Sequence, residues 1–169
     1  TRARRELGFR HITLLTNGLL LPPCEPLLSA VDRLVVSLDS TDADRWSDLL
    51  GVPGDVARGI LDNVRAYAGR QREFGFRMVA NCVLTPETLP GARQVLDFAR
   101  EHRLLVSFSP QAVNNWPRYE LLVSDEYKAL VRELMAQKRR GAPILGSMAY
   151  LHTLLNLPPY SCYPALIPR

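Results

Sequence analysis

The sequence predicts an α/β fold built on a mostly parallel sheet, and three observations carry that prediction. Short β-prone stretches alternate with stretches of helical period along most of the chain. The strands are separated by crossover segments rather than tight hairpins, which favours parallel pairing with right-handed connections. Polar residues gather at the C-terminal ends of the strands, where α/β folds place their sites. The chain has 169 residues. A complete eight-unit barrel takes about 250, so roughly half a barrel or a small open sheet is expected.

The elements follow in order. "RARRELGFR" reads as the end of a helix feeding a strand, and "HITLLTNG" (11–18) as that strand with its closing turn. "EPLLSAV" (25–31) reads as a short helix and "RLVVSLD" (33–39) as the second strand. "DVARGILDNVRAYAGRQ" (55–71) repeats Ile60, Val64 and Tyr67 at helical spacing, with Asp55 expected as its cap. "FRMVANCVL" (76–84) is the third strand. "LPGARQVLDFAREH" (89–102) is a helix with Thr88 as expected cap and Pro90 in the first turn. "LLVSFSP" (104–110) is the fourth strand. "DEYKALVRELMAQKRR" (125–140) opens with acids, closes with bases, and lies between Ser124 and Gly141. That is the order the helix dipole and the two caps favour. "MAYLHTLLN" (148–156) is a last short helix, and "LPPYSCYPALIPR" is a proline-rich, irregular tail.

Composition narrows the partners. Net charge is +4, from arginines scattered over helical segments and from the clusters "TRARRE" and "QKRR". No basic stripe interleaved with aromatics is present, so solvated helix faces are expected rather than nucleic-acid binding. No apolar run is long enough to span a bilayer and no secretory signal opens the chain, so no membrane partner and a cytoplasmic setting are expected. Cys24, Cys82 and Cys162 are widely spaced and form no CxxC pair. That argues against a disulfide framework and against a self-contained zinc site.

Side chains alternate faces along a strand. If Leu34, Val36 and Leu38 face the covering helices, then Val35, Ser37 and Asp39 face the other way. The same rule groups Thr13, Leu15 and Asn17; Val79, Asn81 and Val83; and Leu105, Ser107, Ser109 and Gln111. Cys82 then points to the helices. Each strand thus ends in polar groups on one face: Asn17, Ser37 with Asp39, Asn81, and Ser109 with Gln111. A hydroxyl-bearing ligand suits this set, because Asp39 can accept from a ribose diol while the amides and hydroxyls donate or accept. Local roles stay open for each: Asp39 and Ser40 can cap the next segment, and Asn17-Gly18 is an ordinary turn pair.

These residues resemble the second part of a radical S-adenosylmethionine (radical SAM) enzyme core, over about residues 5–110. In that family a strand ending T-N-G precedes a strand ending S-L-D. A glycine-spaced loop and a helix follow, then a strand ending N-x-V-x-T. Thr16-Asn17-Gly18, Ser37-Leu38-Asp39, Gly51 with Gly54, and Asn81 with Thr85 occupy those positions. The resemblance implies the third to sixth strands of a six-stranded partial (β/α) barrel over residues 1–141, followed by a C-terminal helix and lead-out over 142–169. It implies S-adenosylmethionine as ligand. Asn17, Ser37, Asp39, Asn81, Ser109 and Gln111 would line the pocket, and Arg45 would pair with the ligand carboxylate. In an intact enzyme a [4Fe–4S] cluster would cleave that ligand to a 5′-deoxyadenosyl radical for hydrogen abstraction from a substrate the sequence does not name.

The family's CxxxCxxC and GGEP-type segments are absent from this sequence. The expectation is therefore a fragment. The cluster would be ligated outside the chain, a missing N-terminal barrel segment would be its partner, and the chain alone would be inactive. "LPPYSCYPALIPR" resembles the entry to a SPASM or twitch-type extension, which would make Cys162 the first ligand of an auxiliary iron–sulfur cluster; a lone buried thiol is the other reading. Two rival functions stand beside this one. A non-catalytic half-barrel used for binding or assembly would also lack the cluster motif. A Schiff-base lyase would want a lysine at a strand end, and the only lysines, Lys128 and Lys138, share one helix. His11, His102 and His152 read as strand-start, helix-end and helix-face residues, and Trp46 and Trp116 as packing residues.

Overall fold

The structure, a computed structural model, describes residues 2–113 and 116–156. In chain order its elements are α1 (Arg2–Arg5), β1 (Thr13–Thr16), α2 (Glu25–Leu28), β2 (Arg33–Ser37), α3 (Ala43–Leu50), α4 (Gly54–Gly69), α5 (Gln71–Phe74) and β3 (Arg77–Leu84). A 3-10 turn (Leu89–Gly91) then leads into α6 (Ala92–Glu101), β4 (Leu105–Pro110), β5 (Ala112–Val113), β6 (Trp116–Pro117), α7 (Tyr119–Val123), α8 (Asp125–Arg139) and α9 (Met148–Asn156). Strands β1 to β4 form one sheet in chain order, every pairing parallel. Beyond β4, Ile144 bridges Val106 in the same parallel sense. The short β5 and β6 form a separate antiparallel pair.

One face of the sheet is covered by helices, and the alternation predicted for the strands places it. Leu34, Val36 and Leu38 are fully buried, while Val35 is half-buried and Ser37 exposed. Met78, Ala80, Cys82 and Leu84 of β3 and Val106 and Phe108 of β4 join the same core. There they meet Ile60, Leu61 and Val64 of α4, Val95 and Leu96 of α6, and Leu130 and Leu134 of α8. Each Leu, Ile, Val, Met or Phe among them contributes about 1.5–3 kcal/mol on burial. Val79, on the other face, is buried as well, as suits a strand flanked on both sides. The opposite face is open at its edge, where Leu15 is 73% exposed.

Local chemistry shifts several boundaries. Asp55 does not cap α4: the cap is Pro53, and Asp55 lies inside the first turn, where its charge still suits the helix dipole. The expected helix 55–71 stops at Gly69, and α5 closes separately on Gly75 at φ 81°. Thr88 does not cap the next helix either. Its Oγ1 donates to the Val83 carbonyl at 2.6 Å and accepts from the Thr85 N–H at 2.8 Å, so a 3-10 turn intervenes and α6 starts at Ala92. Ser124 does cap α8, accepting from the Tyr127 N–H at 3.0 Å, and Gly141 follows at φ 88°.

Helices α3 and α7 and the β5–β6 pair are additions to the sequence reading. Asp42 starts α3 by accepting from the Asp44 and Arg45 N–H groups, and Gly51 ends it at φ 64°. No helix among the described residues is long and apolar enough to cross a membrane.

Candidate functional site

The parallel register assembles a polar row. Ser37 of β2 pairs with Asn81 of β3, and Asn81 pairs with Ser107 of β4. All three lie on the face without covering helices. One step towards the strand ends, Ser109 pairs with Val83. Asp39 lies two residues past β2. The Leu38 N–H donates to the Asn81 carbonyl at 2.9 Å, which keeps the chain running beside β3. The Asp39 Oδ1 then accepts from the Val83 N–H at 2.7 Å. Within the row the Ser107 hydroxyl donates to the Asn81 Oδ1 at 2.8 Å.

Asp39 is half-buried. Burial pushes its carboxyl above the ordinary carboxylate value, against the opposing pull of the Val83 N–H. One oxygen is fixed by that N–H and the other has no protein partner among the described residues. The second oxygen is therefore a pre-oriented acceptor, of the kind a hydroxyl donor can meet.

The remaining predicted residues are placed less directly. Asn17 is exposed and its Oδ1 accepts from the Leu19 N–H at 3.1 Å, while Thr16 Oγ1 accepts from the Gly18 N–H at 3.0 Å. These side chains shape their own turn. Thr16 pairs with Val36, so Asn17 stands about level with Ser37 at the edge of the sheet. Arg45 lies in the first turn of α3, and its Nη2 donates to the Glu87 carbonyl at 2.6 Å, tying the loop after β2 to the loop after β3. Gln111 continues β4; its N–H donates to the Leu84 carbonyl at 2.9 Å and its Oε1 accepts from Arg118 at 3.1 Å.

Arg118 is an addition to the predicted set. Besides Gln111 its guanidinium pairs with Glu87 at 3.0 Å and Glu120 at 3.3 Å. It thus joins the segment after β4 to the loop after β3. The flanking strands β5 and β6 have two residues each, too few for any periodicity to show. Strand alternation assigns Ser107 to the correct face, but nothing in the sequence marks its bond to Asn81.

Among the described residues no group of three His, Cys, Asp or Glu side chains could hold a metal ion. An iron–sulfur cluster needs thiolate ligands. Cys82 is buried on the helix-covered face, and burial, with the Asp39 charge adding to it, pushes its thiol far up. Cys24 is half-buried and alone. The described residues do not fit such a cluster, and Cys162 lies outside them. A cleft of about 740 Å³ lies at the other end of the sheet, lined by Arg65, Gln71, Arg72, Arg77 and Arg103 among others. It shares no residue with the polar row. Arg72 lies in the last turn of α5 and Arg103 just beyond α6, where basic side chains complement the helix dipoles.

No protein-family model matches the chain. Over 137 residues, 72% of this chain and 40% of the relative, it is 28% identical to GTP 3′,8-cyclase from Synechococcus sp. (strain CC9902). The chain therefore spans well under half the length of that curated relative. Its fold is similar to that of Streptococcus suis SuiB, with a TM-score of 0.57 and 22% identity, covering 98% of this chain and 37% of SuiB. The structure of SuiB bound to S-adenosylmethionine gives 0.54 and 20%, covering 89% of this chain and 36% of SuiB. The likeness to SuiB is one of fold, and on that fold Thr16-Asn17-Gly18, Ser37-Leu38-Asp39 and Asn81 with Thr85 follow one another in the order that the resemblance to a radical SAM core implies.

Proposed function

We propose that this chain is one wall of the S-adenosylmethionine site of a radical SAM enzyme, its four strands being the third to sixth of a six-stranded partial barrel. The observation that carries the reading is the in-register row Ser37–Asn81–Ser107 with Asp39 pinned just beyond it, towards the C-terminal ends of the strands, the side on which α/β folds bind ligands. In this reading Asp39 accepts from the ribose hydroxyls, and Ser37, Asn81 and Ser109 hydrogen-bond along the ligand. Asn17 and Gln111 stand at the two ends of the pocket. Arg45 exchanges its backbone partner for the ligand carboxylate. These residues bind, orient and shield the ligand, and the cofactor carries the hard chemistry. Iron–sulfur clusters, including an auxiliary one at Cys162, belong to this reading through residues outside 2–156. A preceding barrel strand along the outer edge of β1 belongs to it as well.

Titration of S-adenosylmethionine into the full-length protein, purified without oxygen and assayed for iron and sulfide, tests this. Saturable binding with iron present is expected. Asp39→Asn should weaken binding about tenfold or more, since hydrogen bonds to charged groups contribute about 1.5–3 kcal/mol. Full-length protein that holds neither iron nor S-adenosylmethionine would favour the non-catalytic half-barrel instead.

A further inference from the structure

We infer that Ser107 is a positioning residue that turns Asn81 so as to present its amide N–H₂, rather than its carbonyl, to the ligand. The inference rests on the binding site proposed above and deepens it by fixing the polarity of one contact.

A carboxamide is planar, with one acceptor atom and one donor atom on opposite sides. In the structure the Ser107 hydroxyl donates to the Asn81 Oδ1 at 2.8 Å, across the β3–β4 pair. With the oxygen held on the β4 side, Nδ2 is directed away from Ser107, and it makes no hydrogen bond among the described residues. Ser37, the neighbour of Asn81 on the β2 side, is exposed, so that side of the amide is open.

Asn81 itself is half-buried, and its Nδ2 is open to solvent, so a ligand acceptor there takes the place of water as its partner. Two residues further along β3 the polarity reverses: Asp39, pinned to Val83, offers an acceptor. The site therefore carries a donor at the level of Asn81 and an acceptor at the level of Asp39. A ligand that fits places a carbonyl, carboxylate, ether or ring-nitrogen acceptor at Asn81 and a hydroxyl donor at Asp39. Reversing the ligand puts acceptor against acceptor and leaves Nδ2 without a partner.

The test uses full-length protein, S-adenosylmethionine as probe, and five variants titrated calorimetrically, with thermal melts recorded for each. Asn81→Asp keeps the Ser107 contact through one oxygen and replaces the outward donor by an acceptor. It should weaken binding at least as much as Asn81→Ala, about tenfold or more. Ser107→Ala frees the amide and should weaken binding several-fold. Ser107→Thr retains the hydroxyl and should restore affinity, which a purely structural role for the site would not require. Wild-type affinity in Asn81→Asp, or in Ser107→Ala, overturns the inference while leaving the site in place. Wild-type affinity in Asn81→Ala and Asp39→Asn together would remove the site itself.

Discussion

Asp39 Oδ1 accepts the Val83 N–H at 2.7 Å, from a position two residues beyond the end of β2. One carboxylate thus closes the gap between two strands after their backbone pairing has ended. Its folded-state pKa is raised above the ordinary 3.8 by burial. The sign follows from linkage. A raised pKa contributes stability that is full below the unfolded value and is lost as pH rises through the folded one. The Asp39→Asn substitution keeps the acceptor for Val83 and removes the titration. The stability of wild type relative to Asp39→Asn is therefore expected to fall as pH rises from below about 4, then level off. Denaturant melts of both proteins at a series of pH values check this; a difference that grows with pH would mean that the carboxylate is stabilised on folding.

How much of this was legible in the sequence varies by element. The four strands and their parallel order follow from apolar alternation, and Leu34, Val36 and Leu38 against Ser37 set the faces. Strand alternation put the members of the polar row on one face, but only Ser37 ends its strand: Asn81 stands mid-strand in β3, which runs on to Leu84, and Ser107 mid-strand in β4. What escaped was decided by single hydrogen bonds. Thr88 reaches back to the Val83 carbonyl and delays α6, and Asp42 caps α3 inside a stretch that the resemblance gives only as a glycine-spaced loop. Arg118 is joined to Gln111 and Glu87 by a loop path with no period to read.

Gly18 is constrained twice. It adopts φ 86°, and a Cβ there would lie 3.2 Å from Ile60 Cγ2 and 3.3 Å from Val36 Cγ1. Gly51 adopts φ 64° with open space around it. Both alanine variants carry the left-handed backbone cost of about 1–2 kcal/mol, and Gly18→Ala adds crowding of about 1 kcal/mol or more. Gly18→Ala is expected to melt lower than Gly51→Ala. Equal melting temperatures would mean that α4 and β2 shift freely to admit the methyl group.

Trp46 is 1% exposed and its indole N–H has no hydrogen-bond partner among the described residues. Tyr127 is as deeply buried, but its hydroxyl donates to the Leu154 carbonyl at 2.9 Å. Replacing each by Phe removes a polar group from the core with opposite consequences. Trp46→Phe relieves an unmet donor, worth about 1–3 kcal/mol, against a void of similar cost, so a net change within about 1 kcal/mol is expected. Tyr127→Phe takes the hydroxyl from the Leu154 carbonyl, which has no other partner among the described residues, and should cost about 1–3 kcal/mol. Chemical denaturation ranks the two. A larger loss for Trp46→Phe would show that packing of the indole outweighs its unmet N–H.

Strand β1 pairs with β2 along one edge, and among the described residues no strand pairs along the other. The residues at that edge, "ITLLT" from 12 to 16, are β-prone and carry no charge, and Leu15 is 73% exposed. An uncharged edge with free N–H and C=O groups is a template for pairing with another chain. The polypeptide from Thr1 to Arg169 is therefore expected to associate with itself as concentration rises. Leu15→Lys should suppress this, because a charge at the edge disfavours the apposition of a second copy. Sedimentation velocity over a concentration series reads the effect. A wild-type chain that stays monomeric throughout would show that the β1 edge is already covered in solution, and the preceding barrel strand invoked for the intact protein would lose its place.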